Sequence, residues 1–406
     1  MSDGCEASGE LLGARMPAHL YVHVPFCASK CGYCDFGSVA GAREDVVQNV
    51  FAGIRTQLAR WSETGLLGVL DTIYVGGGTP SLYPNDVAYL LAFIAEKFVV
   101  HGDAEITVEA NPDSLSPAAA SAFARAGATR VSVGVQSFDD HVLRVLGRRH
   151  DVLAARAACA TVVDAGLDLS IDLICGVPGQ SMTSWSDTLE SAWESGARHV
   201  SVYPLSIEDG TDLQVAISAG LLGTPDPDEA ASMMLLAEST FGYHGLARYE
   251  VASYATDSRH ESRHNTAYWS GRPYIGVGPG SHGMLDAATA RAAGFAEAED
   301  AAPARIRYAN SVNIEQWLHG AGGTVEPLTA EEVVREDVML GMRLVRGVSS
   351  RQVAEAGLTG VLESLAADGL VELASDVTSK PGPNWRTTQR GWLLGNQVFS
   401  RVWTGE

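Results

Sequence analysis

The chain has 406 residues, with 49 acidic against 28 basic side chains and a formal net charge of −21. That length holds a large domain and a smaller one, and that charge repels phosphate backbones, which disfavours direct nucleic-acid binding. No run of about 18 apolar residues offers a transmembrane segment, and the start Met1-Ser2-Asp3-Gly4-Cys5-Glu6 lacks the basic and apolar regions of a secretory signal; a cytoplasmic protein with a disordered tail over residues 1–16 is expected.

In chain order, Leu20 to Phe26 reads as a strand that runs into a loop carrying three cysteines. Val46, Val47, Val50, Phe51, Ile54, Leu58 and Trp61 recur at helical spacing. Thr72–Val75 is a predicted buried strand ending in Gly76-Gly77-Gly78, and Val87–Phe98 a helix. Strands are then predicted over Glu105–Glu109, Arg130–Val135, Leu169–Ile174 and His199–Tyr203. The helices between them run over Ser116–Ala126, His150–Ala165 and Ser181–Ser195, the first two stopped by Gly127 and Gly166. This alternation implies βαβ units and a parallel sheet. Six strands are too few for a closed eight-stranded barrel, so an open (β/α)6 partial barrel is expected, with the core over residues 17–250.

The pattern changes after a helix from Asp226 to about Phe241. A connecting region, 251–326, carries Arg263-His264-Asn265-Thr266-Ala267-Tyr268-Trp269 and the glycine-rich Tyr274–Gly283. Ala287–Ala304 reads as a variable loop. Residues 327–406 read as a small winged-helix-like α+β module, with helices over Glu331–Leu344, Ser350–Ala356 and Gly360–Asp368. Two strands of a wing follow, near Gly369–Leu373 and Trp385–Thr388. Few basic residues on its third helix favour a docking or lid role over DNA binding.

Cys27, Cys31 and Cys34 stand at spacings of four and three in a chain with six cysteines. Three thiolates are one short of a closed zinc site and one short of a fully thiolate-bound [4Fe–4S] cluster, which leaves a coordination position open. Free thiolates and such a cluster both suit a reducing compartment. Cys5, Cys159 and Cys175 show no pairing pattern, and the last two read as core residues.

The other candidate site residues cluster where predicted strands end, the face on which barrel enzymes place their chemistry. Gly76-Gly77-Gly78-Thr79-Pro80 follows the second strand, and glycine lets backbone approach a ligand. Glu109 ends the third strand, within Val108-Glu109-Ala110-Asn111-Pro112. Gln136 ends the fourth, with Arg148 further on. Asp172 lies on the fifth, and a buried carboxylate needs a partner, for which Arg148 or a second ligand is available.

The CxxxCxxC loop and this series resemble the radical S-adenosylmethionine (SAM) superfamily, in its oxygen-independent coproporphyrinogen III dehydrogenase-like branch. The similarity runs from Tyr21 to the C-terminal module. It implies that Cys27, Cys31 and Cys34 hold a [4Fe–4S] cluster and that Tyr21, Gly77 and Glu109 contact the SAM bound to it. Tyr33, Gly78, Thr79, Gln136, Arg148 and Asp172 match positions that contact a second SAM in the dehydrogenase. Two departures separate this chain from that enzyme: Phe36 stands where the dehydrogenase has a fourth cysteine, and only 26 residues precede Cys27. His264-Asn265-Thr266-Ala267-Tyr268-Trp269 instead matches the HNxxYW motif of the HemW-type haem chaperones, and Gly278-Pro279-Gly280-Ser281-His282 the loop that follows it there. This second resemblance implies a protein that binds haem and delivers it to haem-requiring acceptors at the cytoplasmic face of the membrane. The alternative is oxidative decarboxylation of coproporphyrinogen III. A haem site needs an imidazole, an apolar wall and aromatic stacking. His264, Tyr268 and Trp269 are the candidate set, with His23 and His282 as rival imidazoles.

Overall fold

The computed structural model describes residues 16–295, 303–374 and 383–406. Cys5 and residues 1–15 of the tail expected over 1–16 lie outside these ranges, as do residues 296–302 of the expected variable loop.

Six strands pair in parallel and in sequence order: β1 (His19–Val24), β2 (Leu70–Gly77), β3 (Val100–Ala110), β4 (Arg130–Gln136), β5 (Asp168–Cys175) and β6 (His199–Pro204). Helices cover one face, where Val131, Val133, Val135, Leu169, Ile171, Val200 and Val202 pack in the core, while alternate residues such as Arg130, Ser132, Ser170 and His199 face the barrel interior; every residue of β4 is buried. The intervening helices are α1 (Glu44–Thr64), α2 (Pro84–Lys97), α3 (Pro117–Arg125), α4 (Asp140–Val145), α5 (Val152–Asp164) and α6 (Met182–Glu194). The stripe read from the sequence is the buried face of α1: Val47, Val50, Phe51, Ile54, Leu58 and Trp61. Ser116, Asp151 and Ser181 cap α3, α5 and α6 by accepting backbone N–H bonds. Two short helices, α4 and α7 (Asp212–Ser218), escaped the sequence reading, because six or seven residues give too few turns for a periodic signal.

The sheet does not stop at six strands. After α8 (Pro227–Tyr243), β7 (Ala247–Arg248) and β8 (Ser253–Ala255) extend it antiparallel beyond β6. On the other edge β9 (Tyr274–Val277) pairs in parallel with β1, followed by antiparallel β10 (His282–Asp286), β11 (Arg305–Ala309) and β12 (Thr324–Leu328). The described residues thus form one open sheet of twelve strands. The stretch 251–326, expected as a connecting region, supplies five of these strands. Its strands are only three to five residues long, so alternation was not visible. The expected loop also begins as a helix, Ala287–Ala292, capped by Asp286.

The C-terminal residues carry helices over Ala330–Gly341, Ser350–Glu355 and Thr359–Ala367 and a three-stranded sheet, followed by Gly395–Thr404. Val338, Met342, Leu362, Leu365, Val398 and Val402 form a core of their own. Docking on the large sheet runs through Trp392, whose Nε1 donates to Val251 O at 2.7 Å, and through Arg305, which pairs with Glu336 at 2.9 Å and Asp337 at 2.7 Å. No helix among the described residues is long and apolar enough to cross a membrane.

One further helix, α9 (Arg263–Trp269), carries the HNxxYW letters. Glu105, within β3, accepts the N–H groups of Arg263 at 2.8 Å and His264 at 3.2 Å and pairs with Arg130 at 3.2 Å. The helix is thereby pinned at the N-terminal end of the barrel strands, opposite the cysteine loop.

Candidate cluster and nucleotide site

β1 ends at Val24, and the chain turns at once into the cysteine loop. Phe26–Cys27 pairs with Val39–Ala40, which holds the two ends of the loop together. The middle is held by Gly32, whose N–H donates to Leu146 O at 3.1 Å and whose carbonyl accepts from Leu213 N at 2.8 Å. Gly147 lets this happen: it sits at φ 70°, and a Cβ there would stand 2.9 Å from Gly32 N.

Cys27, Cys31 and Cys34 line one cavity with Gly77, Gly78, Thr79, Glu109, Gln136, Arg148 and Asp172. All three thiols are half-buried, and burial raises the Cys34 pKa above the ordinary thiol value. Among the described residues no three His, Cys, Asp or Glu side chains gather closely enough to share one metal ion. An iron–sulfur cluster makes no such demand, since each thiolate binds a different iron. The sulfurs also have the donors an anionic cluster needs. Arg148 Nη1 lies 3.3 Å from Cys31 Sγ, and Thr79 Oγ1 lies 3.5 Å from Cys27 Sγ. The residues present therefore fit the cluster that their spacing suggests.

Arg148 is not the partner of Asp172. Its guanidinium is spent on Cys31, on Tyr33 OH at 3.4 Å, on Asn111 Oδ1 at 2.8 Å and on Gly134 O at 2.6 Å. Asp172 instead accepts from Ser132 Oγ at 3.2 Å and 3.4 Å. Burial, and then the nearby charge of Glu109, push its pKa up to about 7.

Glu109 binds within the protein through both oxygens: Tyr74 OH donates to Oε1 at 2.7 Å and Gly77 N–H to Oε2 at 2.9 Å. Burial raises its pKa, and these two bonds oppose the rise. Gly77 is at φ 109°, a conformation glycine takes without strain. Gly78 has a different reason to be glycine. A Cβ on it would lie 2.5 Å from Phe26 O and 2.7 Å from Phe26 N, so its side-chain position belongs to the cysteine-bearing segment, not to a ligand. Gln136 is the one non-glycine described residue with positive φ, at 65°, held at the end of β4 with its side chain folded back over Gly134. Tyr21 faces the barrel interior and bonds His23 Nδ1 at 2.8 Å.

Two contributors were missed. Asn111 donates to Thr79 Oγ1 at 3.1 Å and accepts from Arg148, tying the glycine turn to the arginine. The Glu-Ala-Asn-Pro run was its signal. Tyr74, read only as a strand residue, holds Glu109.

The structure separates the haem candidates from this site. His264 is buried and both its ring nitrogens are committed, Nδ1 to Thr72 Oγ1 at 2.7 Å and Nε2 to Tyr268 OH at 2.8 Å. Thr72 lies six residues before Gly78, a span of roughly 20 Å along a strand. In this arrangement both ring nitrogens of His264 are engaged within the protein. Trp269 Nε1 donates to Glu250 at 3.1 Å, and Arg343 lies over its ring at 5.3 Å, so the tryptophan packs towards the C-terminal helices. His23 is also buried, with Nε2 unpartnered, whereas His282 is exposed.

Below the cysteine loop a cavity of about 580 Å³ descends to α9, and Phe36, 70 % exposed, stands at its mouth. Its walls combine polar groups, among them Glu109, Asp172, Arg130 and His199, with apolar surface from Tyr33, Phe36, Tyr74, Ile174, Tyr203 and Leu205, which makes up most of the lining.

Residues 21–192 match the radical SAM superfamily. The haem chaperone HemW of Mycobacterium tuberculosis strain H37Rv is 34 % identical over 404 residues, 97 % of each chain. HemW of Bacillus subtilis strain 168 is 31 % identical, covering 93 % of this chain and 97 % of that one. The structure of coproporphyrinogen III oxidase (HemN) from Escherichia coli, a radical SAM enzyme, superimposes with a TM-score of 0.75 at 20 % identity, over 96 % of this chain and 91 % of that one, and so shares the fold. The chain belongs to the HemW family within the radical SAM superfamily.

Proposed function

We propose that this protein is a haem chaperone: it binds haem, carries a SAM-bound [4Fe–4S] cluster on Cys27, Cys31 and Cys34, and hands haem to haem-requiring proteins at the cytoplasmic face of a membrane. The observation that carries the reading is likeness to HemW proteins over almost the whole chain, the C-terminal helices included. Phe36 supports it against decarboxylation, because the position of the dehydrogenase's fourth cysteine is filled here by an exposed aromatic ring. When bound, the cluster offers one iron free of cysteine, on which SAM can be chelated. Gly77, Glu109, Thr79, Gln136 and Asp172 then line the nucleotide's surroundings, with Arg148 and Asn111 fixing loop to turn.

Haem is assigned to the outside of the barrel. Glu109, Asp172 and Arg130 place charge inside the cavity, where an apolar porphyrin face finds no match, whereas Phe36, Tyr203 and Leu205 carry apolar surface at its rim. Phe36, Val39 and Val312 are exposed, and Val312 packs 3.5 Å from the Cβ positions of both Gly37 and Gly280. Of the three imidazoles weighed from the sequence, only His282 is exposed, and it is the iron donor put forward. The test is to reconstitute the protein anaerobically and assay haem binding and coproporphyrinogen III decarboxylation in parallel. About one haem per chain with no decarboxylation is expected, with a changed haem spectrum in His282→Ala and an unchanged one in His264→Ala. Robust decarboxylation would overturn the chaperone reading.

A further inference from the structure

The HNxxYW helix and the glycine turn lie at opposite ends of β2, yet an unbroken series of contacts joins them. His264 is clamped between Thr72 and Tyr268, so its ring cannot rotate. That ring stacks on Tyr74, with centroids 5.2 Å apart and planes 26° from parallel. Tyr74 OH donates to Glu109 Oε1, and Glu109 Oε2 accepts from Gly77 N–H. There is no slack at the upper end. A Cβ on Gly76 would stand 2.7 Å from Glu109 Cδ and 2.8 Å from Tyr74 Cε1, and one on Gly77 2.4 Å from His23 Cε1.

We propose that His264 and Tyr268 are positioning residues for the SAM side of the site, acting through Tyr74 and Glu109 on the Gly76-Gly77-Gly78 turn. The fixed imidazole face sets the plane of the Tyr74 ring and hence the direction of its O–H. That O–H and the Gly77 N–H hold the buried Glu109 carboxylate in one rotamer. With the carboxylate fixed, the turn keeps the conformation in which Gly78 N–H donates to Val24 O at 2.9 Å and Thr79 N–H to Phe26 O at 2.7 Å, and the Gly77 and Gly78 backbone that lines the site stays in place. The HNxxYW letters therefore report support of the turn from below, not coordination of iron. This inference rests on the reading that the turn and Glu109 face SAM.

The experiment is a double-mutant cycle on reconstituted protein, read by the dissociation constant for SAM, by iron content, and by hydrogen exchange of the peptide covering residues 75–79 in cluster-free protein. Tyr74→Phe keeps the stack and removes only the O–H; His264→Ala removes the stack. Each is expected to weaken SAM binding about tenfold, the scale of a lost hydrogen bond to a charged group, with iron content unchanged and faster exchange over 75–79. Because both act through the same carboxylate, the double variant should bind within about threefold of the weaker single one. His264→Phe, which restores an aromatic face, should recover part of the loss. Effects that multiply, or wild-type SAM affinity and exchange in His264→Ala, would overturn the inference and leave the SAM reading intact. Failure of the wild-type protein to bind SAM would overturn both. A haem spectrum altered in His264→Ala with SAM affinity unmoved would return the histidine to the iron.

Discussion

The two ends of the parallel strands are built from similar residues and behave in opposite ways. At the C-terminal end the polar groups are held but still have capacity to bind. Three thiols lie half-buried, Gln136 is kept at positive φ, and Arg148 reaches the cysteine loop. At the N-terminal end the polar groups are turned on one another: Glu105 with Arg130 and the start of α9, and His264 with Thr72 and Tyr268. A ligand site needs groups that reach outward; a support needs groups satisfied from within. Sequence motifs name both kinds with equal emphasis, and only hydrogen-bond partners separate them.

The most decisive break in this contrast is at the thiols. Replacing Cys27, Cys31 or Cys34 by Ala should remove all cluster iron, measured as iron per chain after anaerobic reconstitution. Cys159→Ala and Cys175→Ala should retain about four irons. Both of these thiols are buried in the apolar core, and burial pushes their pKa up to about 12, so neither is a ready thiolate. Iron lost from the Cys175 variant would invalidate the ligand assignment.

The next effect tests how far the glycine turn and the cysteine loop are one object. With Phe26 O only 2.5 Å from its Cβ position, Gly78→Ala must displace the strand that carries Cys27. Iron content and SAM binding should fall together, by more than half. Gly102→Ala is the control, since nothing stands within 4 Å of its Cβ position. Full iron with SAM binding alone lost would mean that the turn moves independently of the loop.

The legibility of the chain follows the same divide. The six central strands were readable because one face packs under helices, which leaves β-branched residues at alternate positions, such as Val131, Val133 and Val135 in Arg130-Val131-Ser132-Val133-Gly134-Val135. The edge strands β7 to β12 were not: they are two to five residues long, all but β9 are paired only antiparallel, and each is too short to show a period. The spacing of Cys27, Cys31 and Cys34 was legible as a metal-binding loop because ligand spacing is local. The roles of Asn111 and Tyr74 depend on contacts 32 to 37 residues away, such as Tyr74 with Glu109 and Asn111 with Arg148. The surroundings of His264 were hidden for the same reason, since its partner Thr72 is 192 residues distant.

The smallest expected effect concerns Asp172, which lies between the two ends and belongs fully to neither. Its pKa moves from 3.8 to about 7, first through burial and then through the charge of Glu109. Between those values the native protein holds a proton that the unfolded chain has released. Native protein then binds more protons than unfolded, so stability falls as pH rises through this window, and the penalty is complete above about pH 7. Asp172→Asn has no carboxylate to ionise. It should match wild type near pH 4 and exceed it at pH 8. At about 1.4 kcal/mol per pKa unit the ceiling is roughly 4 kcal/mol. Water admitted to the 580 Å³ cavity screens this, leaving an expected gap of about 1–2 kcal/mol, a few degrees in melting temperature. Thermal unfolding of SAM-free protein at the two pH values reads it directly. An Asn variant less stable than wild type at pH 8 would mean that Asp172 is charged and partnered there, and would place it with the satisfied groups of the barrel floor.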